Sequence, residues 1–354
     1  MFSFRLQIYA LPLPYHCAPA PNVTKKFHTP PQFVEYSYEC QQKISYICLS
    51  KIPNYFTMLL LKKIAALCAA ASLSFAAMAA EPVAGHVVFI GLDGWAANTY
   101  DASDMPVVKK LAADGAMTLA KRSVLPSASA INWASIFMGV PTEVHGYLHW
   151  SSQTPELEQP AGAVRRNGIM PTIFQVARNQ HPDADLALFA EWDGIKHLVD
   201  TLSLNHFETT PLASITDRAA DYIRANKPEL IAIVYDRPDH PGHDNGWGSP
   251  EYYSMMNHVD SCISHIVQAV ADAGIIDDTV FILTADHGGI ETRHGGTTMS
   301  EMLSPMILSG KGIRPGQKIN ELVMSPDLTP IMAHILGLEP DPIWRGRVPM
   351  SAFK

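Results

Sequence analysis

One stretch of the chain constrains its fold more than any other. Residues 281–283 (Phe-Ile-Leu) are apolar and lead, through two small residues, into Asp286 and His287, after which Gly288 and Gly289 follow. A short apolar run of this kind predicts a buried strand. Neighbouring residues on a regular strand point to opposite faces, so Asp286 and His287 can serve one site only if the chain has already left the sheet. The two glycines permit such a turn.

Two other apolar runs end in the same kind of residue. Residues 86–92 (HVVFIGL) precede Asp93, and residues 230–235 (LIAIVY) run towards Asp239. Segments with helical patterns separate these runs. The alternation predicts an α/β fold with a mainly parallel central sheet, helices on both faces, and a site at the carboxyl ends of the strands.

Helix starts are marked by three signals. Pro171 is expected in the first turn of one helix, and Ser214 begins a sequence with the form of a capping box for a second. Ser249, followed by Pro250, predicts the start of a third helix that continues to about residue 273.

The N-terminal part of the chain has the features of an export signal. Residues 58–79 comprise two lysines, an apolar run and an Ala-Met-Ala site, which together are typical of a secretory signal peptide. The apolar run is shorter than the roughly 20 residues that span a membrane. We therefore expect Met58 to be the initiator, residues 1–57 to be a mis-called upstream extension, and 80–354 to be a single catalytic domain. The predicted location is periplasmic or secreted, without a membrane anchor after cleavage.

Charge and cysteine content exclude further classes. The 354-residue chain has a net charge of −8 and a pI of about 6.0, which argues against a basic nucleic-acid-binding surface. Of five cysteines only Cys262 lies beyond the predicted cleavage point. The exported protein would therefore contain no internal disulfide.

Six side chains at the predicted strand exits can bind metal ions: Asp93, Asp239, His243, Asp286, His287 and His294. Three carboxylates and three imidazoles are enough donors for two divalent cations. This mixed set suits zinc and tolerates manganese or iron. The intervening His240 is expected to face away from the ions, with a substrate contact as the alternative, and His145 is expected to be structural.

Ser129 is the predicted nucleophile. It precedes an apolar helical segment, where its hydroxyl would lie near free backbone N–H groups and the positive end of the helix dipole. By itself such a serine is a helix cap. Two metal ions nearby would lower the pKa of a hydroxyl ligand, so a nucleophilic role for Ser129 is the better interpretation. Asn132, one turn further on, is predicted to contact a phosphate oxygen, and Ser127 and Ser135 are lower-ranked alternatives to Ser129.

Several motifs occur together in a recognisable order. They are Gly91-Leu92-Asp93-Gly94, the segment 126–139 with Pro141 and His145-Gly146, Pro238-Asp239 with Gly242-His243, Thr284 to Gly288, and His294-Gly295. The set resembles the alkaline phosphatase superfamily and, within it, the type I phosphodiesterase and nucleotide pyrophosphatase branch. The match extends from about residue 87 to residue 346.

The resemblance implies a division of the ligands between two ions. One ion would be held by Asp93, Ser129, Asp286 and His287. The second ion would be held by Asp239, His243 and His294. That branch more often has a threonine nucleophile followed by an aromatic residue, whereas this chain has Ser129 followed by Ala130. An aromatic wall for the substrate would then come from elsewhere, with Trp133, Tyr147, Trp150 and Trp247 as candidates.

The predicted function is that of an exported, metal-dependent phosphodiesterase or pyrophosphatase that forms a phosphoseryl intermediate. The substrate is expected to be a small phosphorylated compound, with a nucleotide as one candidate. A phosphomonoester dianion needs more neutralisation than a diester, and only Arg237 and Arg293 lie near the ligand motifs in sequence. Phosphodiesters or pyrophosphate linkages are therefore favoured, although these arginines, or the Arg165-Arg166 pair of a polar surface segment, would favour a monoester if they folded over the site. A phosphomonoesterase is the alternative.

Other functions on a related scaffold fit less well. A sulfatase would require a Cys-x-Pro-x-Arg or Ser-x-Pro-x-Arg motif before a helix, and the chain has none. A cofactor-independent mutase would need further basic residues to hold a sugar phosphate. An inactive binding protein would be expected to lack a ligand or the nucleophile, and none is missing here.

Overall fold

The computed structural model describes residues 81–160, 163 and 168–354. These residues fall in one structural unit, Ala77–Lys354. The predicted upstream extension (1–57), the predicted signal peptide (58–79) and the Arg165-Arg166 pair lie outside the described residues. Within the described ranges, no helix is long and apolar enough to cross a membrane.

Eight strands form a single sheet. They are β1 (His86–Leu92), β2 (Ala116–Arg122), β3 (Leu186–Ala190), β4 (His206–Thr209), β5 (Leu230–Tyr235), β6 (Thr279–Thr284), β7 (Leu303–Gly310) and β8 (Gln317–Lys318). Their order across the sheet is β4-β3-β5-β1-β6-β7-β2-β8. All neighbouring pairs are parallel except the two that involve β7. The predicted, mainly parallel sheet is therefore confirmed.

Helices cover both faces of this sheet, as predicted. They are α1 (Pro106–Ala113), α2 (Ser129–Met138), α3 (Thr142–His145), α4 (Ile173–Gln180), α5 (Leu212–Asn226), α6 (Asp239–Asn245), α7 (Pro250–Asp272), α8 (Met299–Met302) and α9 (Leu328–Ile335). Short segments of 3-10 helix occur at Ala97–Thr99, Asp193–His197, Thr201–Ser203, Ile276–Asp278, Ser325–Asp327 and Met350–Ala352.

The central strand β1 shows why both faces must be covered. Val87 and Phe89 enter one hydrophobic cluster, which also contains apolar residues of α2, α4 and α9. Val88, Ile90 and Leu92 enter the opposite cluster with residues of α1, α5 and α7. Because successive residues of a strand face opposite sides, an almost continuous apolar run is what a strand buried on both faces requires.

The helix starts confirm one prediction and correct two. Ser249 caps α7, since its hydroxyl oxygen accepts a hydrogen bond from Tyr252 N at 3.2 Å. The predicted capping box at Ser214 is wrong: α5 already begins at Leu212, and the Ser214 hydroxyl donates to the carbonyl of Pro211 instead. Pro171 lies before α4 rather than in its first turn, because Thr172 is the capping residue.

Glycines at the strand exits allow the loops to pack closely. Gly288 and Gly289 do not adopt left-handed backbone conformations. The expected backbone freedom for a turn is therefore not what requires glycine at these positions. A Cβ on Gly288 would lie 2.2 Å from the carbonyl oxygen of Ser300, and one on Gly289 would lie 2.1 Å from the ring of Trp247. Close approach of the loops, rather than a special backbone angle, requires these glycines.

Candidate metal centre

The predicted metal ligands follow three strands that are neighbours in the sheet. The order β5-β1-β6 places the carboxyl ends of these parallel strands side by side. Asp93 follows β1, Asp239 begins α6 after β5, and Asp286 and His287 follow β6. His294 lies in the loop after them. The structure therefore brings together side chains that are up to 201 positions apart in sequence.

Asp93, Asp286 and His287 form the more deeply buried group. Their potential ligand atoms all lie within 4.8 Å of one another. His287 Nε2 is 3.4 Å from Asp93 Oδ1 and 3.3 Å from Asp286 Oδ2. This group contains the three carboxylate and imidazole ligands that the resemblance assigns to the first ion.

Asp239 is the centre of the second group. It lies with His287 and His294 inside the same 4.8 Å limit, and His294 Nε2 is 3.7 Å from Asp239 Oδ1. His243 is more exposed and approaches the other carboxylate oxygen, with Nε2 3.4 Å from Asp239 Oδ2. The rings of His287 and His294 are stacked with their centroids 3.8 Å apart, so the two groups adjoin.

All three histidines are oriented by a backbone carbonyl. The Nδ1 atom lies 2.7 Å from Gly288 O in His287, 3.1 Å from Ser127 O in His294, and 2.9 Å from Thr292 O in His243. A carbonyl only accepts hydrogen bonds, so each Nδ1 carries the proton in the neutral ring. The lone pair of each Nε2 is then directed at the carboxylates, which is the arrangement typical of metal-binding histidines.

Buried carboxylate oxygens at this site lack partners. Asp239 Oδ1 and Asp286 Oδ2 are buried and accept no hydrogen bond from any described residue. An unpaired buried carboxylate is costly, and a cation would remove that cost. The donor set, three carboxylates and three imidazoles, therefore fits two divalent transition-metal ions.

The pKa values of these groups reflect the same crowding. Burial and the neighbouring carboxylates raise the pKa of Asp93 well above its usual value and that of Asp239 to about 8. Burial raises the pKa of Asp286 to about 7. Burial also lowers the pKa of His287 and His294 to about 3. In the absence of a cation the site thus disfavours charge on these three carboxyl groups and two imidazoles.

Ser129 is the first residue of α2 and faces the buried group. Its Oγ lies 3.3 Å from His287 Nε2 and 3.5 Å from Asp93 Oδ1. The capping position belongs to Ala128, and no side chain caps this helix. The capping role considered for Ser129 is therefore not the one the structure gives it.

The lower-ranked serines are engaged elsewhere. Ser127 Oγ donates to Gly296 O at 2.7 Å, and Ser135 Oγ hydrogen-bonds to His145 Nε2 at 3.0 Å. His145 is fully buried, and burial lowers its pKa to about 3. It packs as a neutral structural residue.

Asn132 does not reach the site, contrary to prediction. It is fully buried, and its amide nitrogen donates to the carbonyls of Val124, Pro126 and Ala128. Its oxygen accepts hydrogen bonds from Val124 N and Ser325 Oγ. With every donor used, Asn132 holds the loop before α2 and has no N–H for a phosphate oxygen.

Two residues near the ligands were not anticipated in their observed roles. Trp133 was a candidate for the aromatic wall, but it is buried and its Nε1 donates to Asp93 Oδ2 at 3.0 Å. Its position one turn after Ser129 is a signal that could have placed it on this side of the helix.

Lys121 is fully buried beneath the Asp286 loop, and burial lowers its pKa to about 7. It lies on β2, a strand without a recognisable pattern.

A pocket of about 660 Å³ opens above Ser129. Its lining comprises Ser129, Trp150, Trp192, Asp236, Asp239, His240, His243 and His294. His240 thus lines the pocket, in line with the alternative considered for it, and its Nε2 lies 2.7 Å from Asp236 Oδ2. In the part of the chain that the structure describes, no lysine or arginine lines this pocket.

Of the four aromatic candidates, only Trp150 lines the pocket. Its side chain is 61% exposed, and its carbonyl accepts a hydrogen bond from Ala130 N at 3.1 Å, which ties it to the start of α2. Trp192, which sequence reasoning missed, lies across Gly194, where a Cβ would come within 2.1 Å of its ring. Tyr147 is buried, and Trp247 donates through Nε1 to Gly94 O at 2.8 Å.

The arginines near the motifs are paired with acids. Arg237 Nη2 lies 2.9 Å from Glu191 Oε1, and Arg293 Nη1 lies 2.5 Å from Glu291 Oε2. Neither is left as an unpaired cation beside the pocket.

Curated proteins match parts of this chain in sequence. Over 93 residues the chain is 31% identical to arylsulfatase K of Xenopus laevis, which covers 25% of this chain and 17% of that protein. Over 217 residues it is 22% identical to human ectonucleotide pyrophosphatase/phosphodiesterase family member 7, or 57% of this chain and 47% of that protein. The chain thus spans less than half the length of these curated relatives.

A solved structure shares the fold. Murine ectonucleotide pyrophosphatase/phosphodiesterase 5, determined as an inactive form in complex with AMP, superposes with a TM-score of 0.61 at 16% identity, over 74% of this chain and 97% of that one. The family model described as type I phosphodiesterase / nucleotide pyrophosphatase matches residues 87–309, a range that contains every candidate ligand and Ser129. The chain belongs to the type I phosphodiesterase / nucleotide pyrophosphatase family.

Proposed function

We propose that this protein is an exported, metal-dependent phosphodiesterase or pyrophosphatase that uses Ser129 as its nucleophile. The observation that carries the proposal is the position of Ser129 Oγ, 3.3 Å from His287 Nε2 and 3.5 Å from Asp93 Oδ1, at the base of an open pocket. Family membership supports the reaction class, and the signal-like segment 58–79 supports export.

The residues divide into two sets of ligands. Asp93, Ser129, Asp286 and His287 would hold one divalent cation, and the other would be held by Asp239, His243 and His294. When bound, the two cations, zinc being the best match to the donors, lower the pKa of the serine hydroxyl and offset negative charge on the phosphoryl and leaving oxygens.

Ser129 then acts by covalent catalysis. Its Oγ loses the hydroxyl proton to solvent and bonds to phosphorus, while the bond from phosphorus to the leaving oxygen breaks in line with it. The leaving alkoxide takes up a proton from solvent. In the second half of the reaction water attacks phosphorus from the side that the leaving group vacated and gives up a proton to solvent. The bond between phosphorus and Ser129 Oγ breaks, Oγ takes up a proton from solvent, and the phosphoryl product is released. Two in-line displacements give net retention at phosphorus.

Trp150 and Trp192 are proposed to contact the group esterified to the phosphate. Both line the pocket that contains Ser129, and each is tied to the backbone, Trp150 at the start of α2 and Trp192 over Gly194. They would take over the contact that the residue after the nucleophile cannot make, because that residue is Ala130. A nucleotide is one substrate of suitable shape, since aromatic rings stack on bases.

The charge of the pocket supports a diester over a monoester. The arginines closest to the motifs are paired with Glu191 and Glu291, and the described lining contains no cationic side chain other than histidine. A monoester dianion would need an additional positive group.

The decisive experiment compares two substrates on zinc-loaded protein that begins at Ala80. We expect kcat/KM to be higher for bis-(p-nitrophenyl) phosphate than for p-nitrophenyl phosphate. A preference of about tenfold or more for the monoester, equivalent to about 1.4 kcal/mol in transition-state stabilisation, would favour the phosphomonoesterase alternative. Absence of turnover with both compounds in fully loaded protein would contradict a hydrolytic function.

A further inference from the structure

Lys121 is buried next to the proposed metal centre without contacting the pocket. It has no exposed surface and is absent from the pocket lining. Fully buried lysines are rare unless their donors are satisfied. The contacts of this lysine therefore indicate what it does.

Both of its hydrogen bonds go to the backbone that bears the ligands. Lys121 Nζ donates to Ala285 O at 2.5 Å and to Asp286 O at 3.2 Å. These carbonyls belong to the chain segment that turns off β6 and presents Asp286 and His287. The lysine thus fixes the peptide planes from which two ligands project.

Two serines complete a cradle around the same carbonyls. Ser123 Oγ donates to Asp286 O at 2.7 Å, and Ser304 Oγ donates to Ala285 O at 3.3 Å. Both serines are fully buried. Three side chains from two strand regions therefore hold two successive peptide groups of the ligand loop.

A β-bulge places Lys121 in this position. Thr118 pairs with Met306 and Lys121 pairs with Ser304, so two residues of β2 lie opposite Pro305 alone. In regular alternation Ala116, Thr118 and Ala120 would share a face, whereas here Ala116, Thr118 and Lys121 are buried and Ala120 is exposed. Bulges next to functional sites commonly redirect a side chain in this way.

We propose that Lys121 is a positioning residue for the ion held by Asp93, Asp286 and His287. It acts through the Ala285 and Asp286 carbonyls and not through the other ligand group. The inference rests on the proposed metal centre, and it requires only N–H donors at Nζ.

The test measures metal affinity one site at a time. In a His243→Ala background the deeper site remains, and in an Asp93→Ala background the outer site remains. Lys121→Met, which keeps the length of the side chain but removes its donors, is introduced into both, and Lys311→Met at an exposed lysine is the control. Dissociation constants are obtained by chelator competition with Zn²⁺, and the ligand-field spectrum is recorded with Co²⁺.

We expect Lys121→Met to weaken binding at the deeper site about 10–100-fold, the range found when groups that orient metal ligands are removed. The Co²⁺ spectrum of that site should change as well, while affinity at the outer site and in the Lys311→Met control stays unchanged. A lysine that only stabilised the fold would lower the melting temperature of the metal-free protein and leave both dissociation constants as they were, which would overturn the inference.

Two further outcomes separate this inference from the proposed function. If the parent protein binds no metal at either site, the proposed function and the inference both fail; if the parent binds two ions and Lys121→Met retains the parent affinities, only the inference fails. Should Lys121→Met not fold, Ser123→Ala removes the 2.7 Å bond to the same carbonyl. It should weaken the deeper site selectively, and unchanged affinity would count against the cradle.

Discussion

At the scale of single residues, the centre combines buried acids with histidines. Asp93, Asp239 and Asp286 lie together at the exits of three strands, and the histidines direct Nε2 at them. Each acid is held away from its usual ionised state mainly by burial. A cation would restore the charged carboxylates, so metal binding and proton release must be coupled.

The coupling predicts how metal affinity depends on pH. The pKa of Asp286 is raised to about 7 and that of Asp239 to about 8, so below these values a proton occupies each carboxylate and competes with the cation. Affinity for Zn²⁺ should therefore increase from about pH 6 to about pH 8 and then level off. His287 and His294, with pKa values of about 3, are already neutral in this range and release no proton.

Calorimetric titration in two buffers of different ionisation enthalpy measures this proton release directly. The number of protons released per ion should fall as the pH is raised through the stated range. Asp239→Asn should remove the part of the release near pH 8. An affinity that does not vary with pH would contradict the proposed ligand set.

Ser129→Ala tests the nucleophile. The serine hydroxyl supplies the bond to phosphorus, so its removal should lower kcat by about 10³-fold or more, while Asp93, Asp286 and His287 still retain metal. Ser135→Ala, in the same helix but bonded to His145, is the matched control and should keep near-parental turnover. Turnover of a chiral phosphorothioate diester with net inversion would exclude the two-step route for the parent enzyme.

At the scale of elements, the start of α2 depends on one side chain. Asn132 connects the loop at Val124 and Pro126 to the helix, and its oxygen also reaches Ser325 in the 3-10 turn before α9. A buried amide with this many partners orders the loop that leads to Ser129. Its effect on catalysis is expected to be indirect.

Asn132→Ala should accordingly cost stability. Several buried backbone groups would lose their partner, and we expect a destabilisation of about 2–4 kcal/mol. Urea unfolding of the metal-free protein measures it, with Asn257→Ala at an exposed asparagine as the control. Unchanged stability together with a raised KM would instead support the contact with phosphate that the sequence suggested.

At the scale of the whole molecule, the described site lies entirely in the unit Ala77–Lys354. Every ligand, Ser129 and the pocket lining come from this range. The proposal that export removes residues up to 79 therefore leaves the site complete.

A protein that begins at Ala80 is expected to match the full chain in zinc content and melting temperature. Elemental analysis should give two ions per chain, because all seven candidate ligands are retained. One ion or none would contradict the proposed centre.

N-terminal sequencing of the exported protein should give a sequence that begins at Ala80. Detection of any residue from 1–57 would contradict the upstream-extension hypothesis.

The sequence by itself was sufficient for the strands that carry the ligands. β1, β5 and β6 are buried on both faces, so each is a nearly continuous apolar run. This pattern is local in sequence and does not depend on which elements pack against the strand. The Asp and His residues were recognisable as candidate ligands because they follow these apolar runs. Parallel strands that are neighbours in a sheet bring such ends together. The fold class and the candidate ligands followed from these local features.

Tertiary structure alone decided the roles of the residues around the ligands. Lys121 contacts Asp286 across 165 positions, and Asn132 contacts Ser325 across 193, so neither partner is visible in a local pattern. β2 is partly exposed and bulged, and it therefore lacks the periodicity by which a strand is predicted. Whether a polar side chain faces the substrate or a buried carbonyl depends on which distant backbone packs against it, and that is set only when the chain has folded.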